Sequence, residues 1–280
     1  MANLQPMSFL RYVHTGAMSA AMNMAVDDVL LDAARAGTGP VLRTYGWHPP
    51  AVSIGYAQCA DEAIDIAGCR ARGIDLVRRT TGGRAVLHWS ELTYSFHCAD
   101  GIGPAAHPLQ EASRILGECL ADGLRRFGVD AQVERGSSPA RGRRGACFAS
   151  TARWELTCGG RKLVGSAQRR TRGALLQHGS ILAGPEHLLL AGLLPSPAPV
   201  ERSLAAASTH LGEWLTGTLQ LDSLRVHLAQ AFADGLGLTM RTTPITEDEL
   251  GQATRRAEET YGNDTYTFRV RSRTMTAEPA

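Results

Sequence analysis

Apolar residues recur at helical spacing at Met22, Val26, Val29, Leu30 and Ala33, and Gly37 follows as a stop signal, so residues 18–36 read as an amphipathic helix. Short apolar runs then predict strands at 41–45, 51–54, 74–77, 85–87 and 92–96. A second long helix is predicted over 108–127, where Leu116, Cys119, Leu120 and Leu124 share a face. Further strands are expected at 153–158, 162–168 and 175–182, and the chain from Glu186 onward reads as mostly helical. The fold class is therefore α+β, with mixed β-sheets flanked by helices and a helical C-terminal portion. Three prolines within 195–200 mark a boundary between a core over 1–197 and a helical portion over 198–280 that packs on or continues it. Residues 135–146, rich in Gly, Ser, Pro and Arg, read as a mobile surface loop. No internal repeat is visible.

Composition narrows the function classes. A chain of 280 residues can bury a large core, and a formal net charge of +2 gives no strong attraction to nucleic acid or to a membrane. The basic run around Arg141–Arg144 is short and lacks interleaved aromatics, so a nucleic-acid partner is not expected. The N-terminus has no basic segment followed by an apolar one, and no stretch approaches ~20 continuous apolar residues. A cytoplasmic protein is expected, with a monomer as the simplest state. The six cysteines (Cys59, Cys69, Cys98, Cys119, Cys147, Cys158) form no C-x-x-C pair and no zinc spacing, so neither a metal nor a disulfide framework is expected, and most read as small buried hydrophobes.

One lysine, Lys162, stands against 28 arginines. Arginine serves wherever a bare positive charge suffices; what it does not supply is a compact ammonium that can hold or release a proton near neutral pH. Lys162 lies in Gly160-Arg-Lys-Leu-Val-Gly-Ser-Ala-Gln168 and reads either as a working amine or as a chance residue on a solvated strand. Two glycine-containing segments offer binding chemistry. In Arg78-Arg79-Thr80-Thr81-Gly82-Gly83-Arg84-Ala-Val-Leu-His88, paired glycines let the backbone approach a ligand that N–H groups and guanidinium groups would hold; a tight hairpin with a charged rim is the alternative. This is neither a phosphate-binding Gly-Lys-Ser/Thr loop nor a dinucleotide fingerprint. In the second, the lysine strand and its neighbour Leu176-Gln-His-Gly-Ser-Ile-Leu182, Gly165, Ser166 and Gly179 in adjacent strands would leave a narrow apolar slot suited to an acyl chain. The competing reading makes the glycines bulges and His178 a satisfied core histidine.

Cys147 differs from the other cysteines in following Arg141, Arg143 and Arg144, because positive neighbours lower a thiol's pKa from ~8.5 and raise the reactive thiolate fraction. It is the best nucleophile candidate, with a buried inert thiol as the alternative.

These motifs, in this order, resemble the lipoate/biotin protein ligase superfamily. The resemblance covers nearly the whole chain, including Asn23-Met-Ala-Val-Asp27, residues 50–58, Glu91–Ser95 and 246–262. It is most like the cysteine-dependent octanoyltransferases: ATP-dependent ligases of the superfamily typically carry Asn-Asp-Leu where this chain has Trp154-Glu155-Leu156, and lack a cysteine matching Cys147. The chain departs from the common pattern at Trp89 and Trp154. The resemblance implies a lipoate/biotin ligase catalytic-domain fold and transfer of an octanoyl group from octanoyl-acyl carrier protein to a lysine of an apo lipoyl domain or glycine-cleavage H protein, through an octanoyl-Cys147 thioester, with no cofactor or metal. It implies Lys162 as the second catalytic residue. Arg79, Thr81, Gly82, Gly83, Arg84, His88, Gly165, Ser166, Ala167, His178 and Gly179 would hold the acyl group. An ATP-dependent lipoate ligase, an amidotransferase between carrier proteins and a non-catalytic binding protein are the alternatives.

Overall fold

The described residues of the structure, a computed structural model, are 8–136, 148, 154–171, 173–195 and 197–269. Cys147 and most of the expected arginine-rich loop lie outside them. The largest element is a mixed sheet of eight strands, and its first strand, β1 (Phe9–Met18), was not legible as one in the sequence. Gly16, at φ +66°, breaks the apolar alternation where the pairing with β2 (Val41–Trp47) shifts register between His14 and Ala17. Strands β6 (Glu91–Ala99), β10 (Ala174–Leu182), β9 (Arg161–Thr171), β8 (Leu156–Cys158) and β7 (Gln132–Val133) follow in that spatial order from β2, each antiparallel to its neighbour. On the far side of β1 lies β11 (Thr239–Thr242), parallel to it. A smaller sheet places β3 (Ala51–Ile54) between parallel β4 (Asp75–Arg78) and antiparallel β5 (Val86–His88), with the short helices α2 (Ala60–Ala63) and α3 (Ile66–Ala71) linking β3 to β4.

Helix α1 (Ala20–Ala33) starts where the Ser19 side chain accepts from the Met22 N–H, and ends in a wider turn at Gly37, whose φ of +96° only glycine adopts readily. Its apolar face packs with Val13, Val41 and Tyr45, and also buries two polar residues, Asn23 and Asp27, beneath the sheet residues they bind. On the opposite face of the large sheet, α4 (Leu109–Arg126) and α6 (Leu221–Gly235) cover the core around Tyr94, Phe96 and Leu175. Gly123 makes that approach possible: a Cβ there would stand 2.9 Å from the Leu228 Cα, closer than packed backbones allow.

Residues 198–269 are built into this arrangement. Besides β11, the stretch after α5 (Pro197–Ala207) forms a parallel bridge from Ser208 to Lys162, and the Thr209 N–H donates to the Lys162 carbonyl at 2.9 Å. Helix α7 (Glu247–Arg256) opens with a capping box between Thr246 and Glu249, and Glu249 also receives Arg11 from β1 at 2.7 Å. Tyr261 donates to Asp28 of α1 at 2.6 Å.

Candidate active site

A cavity of about 450 Å³, including its open mouth, lies between the two sheets and against α1. Its floor is set by register. Gly165 of β9, Ser180 of β10, Thr93 of β6 and Tyr45 of β2 are directly opposite one another in successive pairs, and Ala167, His178, Ser95 and Arg43 form the adjacent row. Because side chains alternate across a strand, both rows project to the same face. Arg79, Gly83, Val86, His88 and Ser53 form the opposing wall, from the small sheet and its glycine loop.

Arg79 is the fastener of that loop. Its Nη1 donates to the Ser53 carbonyl at 2.9 Å, and its Nη2 donates to the carbonyls of Gly82 and Arg84, each at 2.8 Å. Gly83 takes φ +98°, and its carbonyl sits where a Cβ on Gly55 would be, 2.1 Å away. Both positions therefore require glycine. Gly82 lies at the exposed turn, and Arg84 contributes its backbone carbonyl to the clasp.

Two polar chains run under the cavity. In one, the Thr81 hydroxyl meets His178 Nε2 at 2.7 Å, and His178 Nδ1 lies 3.4 Å from Asp27, which also accepts from Arg43 at 2.8 Å, Ser95 at 2.7 Å and Tyr45 at 3.0 Å. Burial pushes the Asp27 carboxyl up, but the Arg43 guanidinium and the His178 hydrogen bond outweigh it and hold the group well below the usual carboxylate range. Burial lowers the His178 pKa, so at neutral pH its ring is neutral, with Nδ1–H donating to Asp27 and Nε2 accepting from Thr81. In the second chain, Glu91 Oε1 accepts from the hydroxyls of Thr93 at 2.5 Å and Ser180 at 2.9 Å and lies 2.8 Å from His88 Nδ1, while His88 Nε2 lies 2.8 Å from the Ser53 hydroxyl. Trp47 stacks on His88 with centroids 4.0 Å apart and donates from Nε1 to Thr93 at 2.7 Å.

Lys162 stands at the β9 end. The solvated-strand reading fails, because the residue is 1% exposed; its Nζ donates to Glu155 at 2.7 Å and lies 4.8 Å from the centre of the Phe148 ring. Strict alternation would put Lys162 and Gly165 on opposite faces, but the register shifts where β8 meets β9, and a Cβ on Gly165 would stand 3.3 Å from Lys162 Cε. The same Cβ would meet the Phe148 ring at 2.9 Å.

The expected slot is present, but its room does not come from the glycines as the sequence reading had it. The space beside Gly165 receives the edge of Phe148, and that beside Gly179 opens to the other face, where a Cβ would meet Tyr94 at 2.8 Å and Ser166 at 2.9 Å. The lumen passes instead over Ser180, Thr93 and Ala167. Arg79, Gly83, His88, Gly165, Ser166, Ala167, His178 and Gly179 all line the cavity, while Thr81 acts through His178. Sequence reading missed Met24, Ser53, Asp27, Arg43, Glu91, Thr93 and Ser180; the ties of Asp27 to Ser95 and His178 and of Glu91 to Ser180 join stretches distant in the chain. It also missed Glu155, singled out only as a departure from a ligase motif. Among the described residues no group of three or more His, Cys, Asp and Glu side chains is placed to hold a metal ion.

The lipoyl protein ligase A/B catalytic domain matches residues 19–233. Octanoyltransferase LipM of Kyrpidia tusciae is 40% identical over 85% of this chain and 91% of its own length. The corresponding enzyme of Symbiobacterium thermophilum is 39% identical over 92% of this chain and 98% of its own, and that of Bacillus subtilis is 31% identical over the same shares. Among solved structures, a lipoate-protein ligase A bound with ATP superposes with a TM-score of 0.78 at 24% identity, covering 94% of this chain and 98% of its own. The likeness to that structure is one of fold.

Proposed function

Because the chain belongs to the lipoyl protein ligase A/B catalytic domain family, we infer that it is an octanoyltransferase of protein lipoylation, an acyltransferase that carries the octanoyl group on Cys147. The donor is octanoyl-acyl carrier protein and the acceptor a lysine of an apo lipoyl domain or of glycine-cleavage H protein. The Cys147 thiolate attacks the donor's thioester carbonyl, the carrier thiol leaves with a proton, and the acceptor amine then attacks the acyl-cysteine, forming the amide and releasing the cysteine. Thioester exchange is near-balanced and amide formation is downhill, so the route needs no ATP. The reaction is assigned to the cytoplasm, a compartment compatible with the unpaired Cys59, Cys69, Cys98, Cys119 and Cys158. Among the described residues no helix is long and apolar enough to cross a membrane.

The observation that carries this reading is the end of the cavity. Phe148, which follows Cys147 in sequence, packs into the space beside Gly165, next to the ammonium of the chain's one lysine. A buried cation at that end would favour a thiolate and the oxyanion of acyl transfer. The buried Cys69, Cys98 and Cys119 are unsuited to the task, since burial pushes their thiols up to about 11, 12 and 12.

Intact-protein mass spectrometry tests the proposal, with octanoyl-acyl carrier protein supplied and ATP omitted. The wild type gains one octanoyl group that hydroxylamine removes, Cys147→Ser gains no such thioester, and Lys162→Ala loads slowly. An unmodified wild type that activates octanoate or lipoate once ATP and magnesium are added would make the protein a ligase instead.

A further inference from the structure

We propose that Met24, from α1, closes the far end of the acyl slot and sets the length of the chain it accepts. The inference rests on the acyl-transfer reading and deepens it. The floor from Gly165 through Ser180 and Thr93 to Tyr45 crosses three interstrand gaps, and at ~4.8 Å each it measures about 14 Å between the outer Cα atoms. Lys162 and Phe148 mark the Gly165 end, so the reacting carbonyl belongs there. An extended octanoyl chain has seven carbon–carbon bonds, each advancing ~1.25 Å, and reaches roughly 9 Å from its carbonyl carbon. Adding the van der Waals radius of the terminal methyl leaves the chain end in contact with the side chains at the β2 end.

Tyr45, Trp47 and Met24, which belong to one packed cluster, line the cavity there, and they differ in kind. Tyr45 is fixed, because its hydroxyl donates to Asp27 at 3.0 Å and its ring carries the Arg43 guanidinium 3.8 Å from its centre. Met24 is 3% exposed, and as a thioether side chain with three rotatable bonds it fills space without a directed polar tie. Trp47 is fixed as well, stacked on His88 and donating to Thr93, so of these three only Met24 can be shortened or enlarged without dismantling a polar cluster. Removing its γ-methylene, sulfur and terminal methyl opens the slot along the axis of the acyl chain; a phenyl ring in its place shortens the slot.

The test loads wild type, Met24→Ala, Met24→Val and Met24→Phe from acyl carrier proteins bearing 6-, 8-, 10- and 12-carbon chains, with rates read by mass spectrometry. For wild type the 8-carbon chain is fastest. In Met24→Ala the ratio of 10- to 8-carbon rates rises about tenfold or more, Met24→Val moves part of the way, and Met24→Phe shifts the optimum to the 6-carbon chain. Three variants that load with the wild-type length profile would overturn the assignment. Binding of the free fatty acids, measured by calorimetry on the same proteins, separates this claim from the chemistry: if wild type is not acylated at all, a binding optimum that follows residue 24 still supports the slot and its end, and one that does not refutes it. Met24→Leu, close in volume, keeps the wild-type profile.

Discussion

Replacing Asp27 by Asn keeps the shape of the side chain and removes its charge, isolating what the carboxylate does under the cavity. In the wild type it receives Arg43, Ser95, Tyr45 and His178, and it is 2% exposed. Arg43 is fully buried, so the substitution leaves a guanidinium out of water with its counter-charge gone. Removing one partner of a buried pair costs about 3–5 kcal/mol. The lower end applies here, because Arg43 keeps the Asn23 side-chain oxygen at 2.7 Å, the Asn23 carbonyl at 3.0 Å, Thr15 at 3.0 Å and the Tyr45 ring. Urea unfolding of wild type and Asp27→Asn at pH 7 should show a loss of about 3 kcal/mol through a lower midpoint at unchanged slope. Adding Arg43→Met to Asp27→Asn should recover much of that loss, since a neutral pair avoids burying an isolated charge. A single variant within 1 kcal/mol of wild type, or a double variant no more stable than the single, would refute the argument that the pair's charges are what hold this cluster.

The remaining expectations concern neighbouring parts. Gly165→Ala drives the Phe148 ring off its seat, since its Cβ would stand 2.9 Å from that ring; the rate of octanoyl loading should fall roughly 10–100-fold with little change in the urea midpoint. Burial holds the His97 pKa down to about 4 against 6.5 for a free imidazole, so on acidification the unfolded chain takes up its proton first. That contribution is intact above pH 6.5 and is lost as pH falls toward 4, about 3 kcal/mol in all, and a pH series of urea midpoints should flatten over this window in His97→Asn. Replacing Arg141, Arg143 and Arg144 together by Gln should slow transfer from an acidic carrier protein more at low salt than at high salt; equal slowing at both would rule out electrostatic steering.

Much of the scaffold was legible because local pattern and burial agree. Ala51–Ile54 is the strand its apolar run predicts, and the long helix differs by one residue at either end, running from Leu109 to Arg126. What escaped had no local signature. Strand β1 is broken by the left-handed Gly16, and β11, Thr-Met-Arg-Thr, is a mostly exposed edge whose partner lies at the other end of the chain. The same holds at the site. The motif residues of the glycine loop announced themselves by composition, but the pairing of Asp27 with Arg43, Ser95 and His178 joins four separate elements. The approach of Lys162 to Gly165 depends on a register shift that no spacing rule reports.

The parallel edge of the large sheet also bears on when the enzyme becomes complete during synthesis. Phe9 pairs with Thr239, 230 residues later, and the lysine strand is clasped by Ser208 and Thr209. A nascent chain emerging N-terminus first holds β1 with one edge unpaired and Lys162 without its clasp until those late segments leave the ribosome. Premature termination between Ser180 and β11 thus yields a protein that keeps all of the cavity's lining residues yet leaves the outer edge of β1 unpaired.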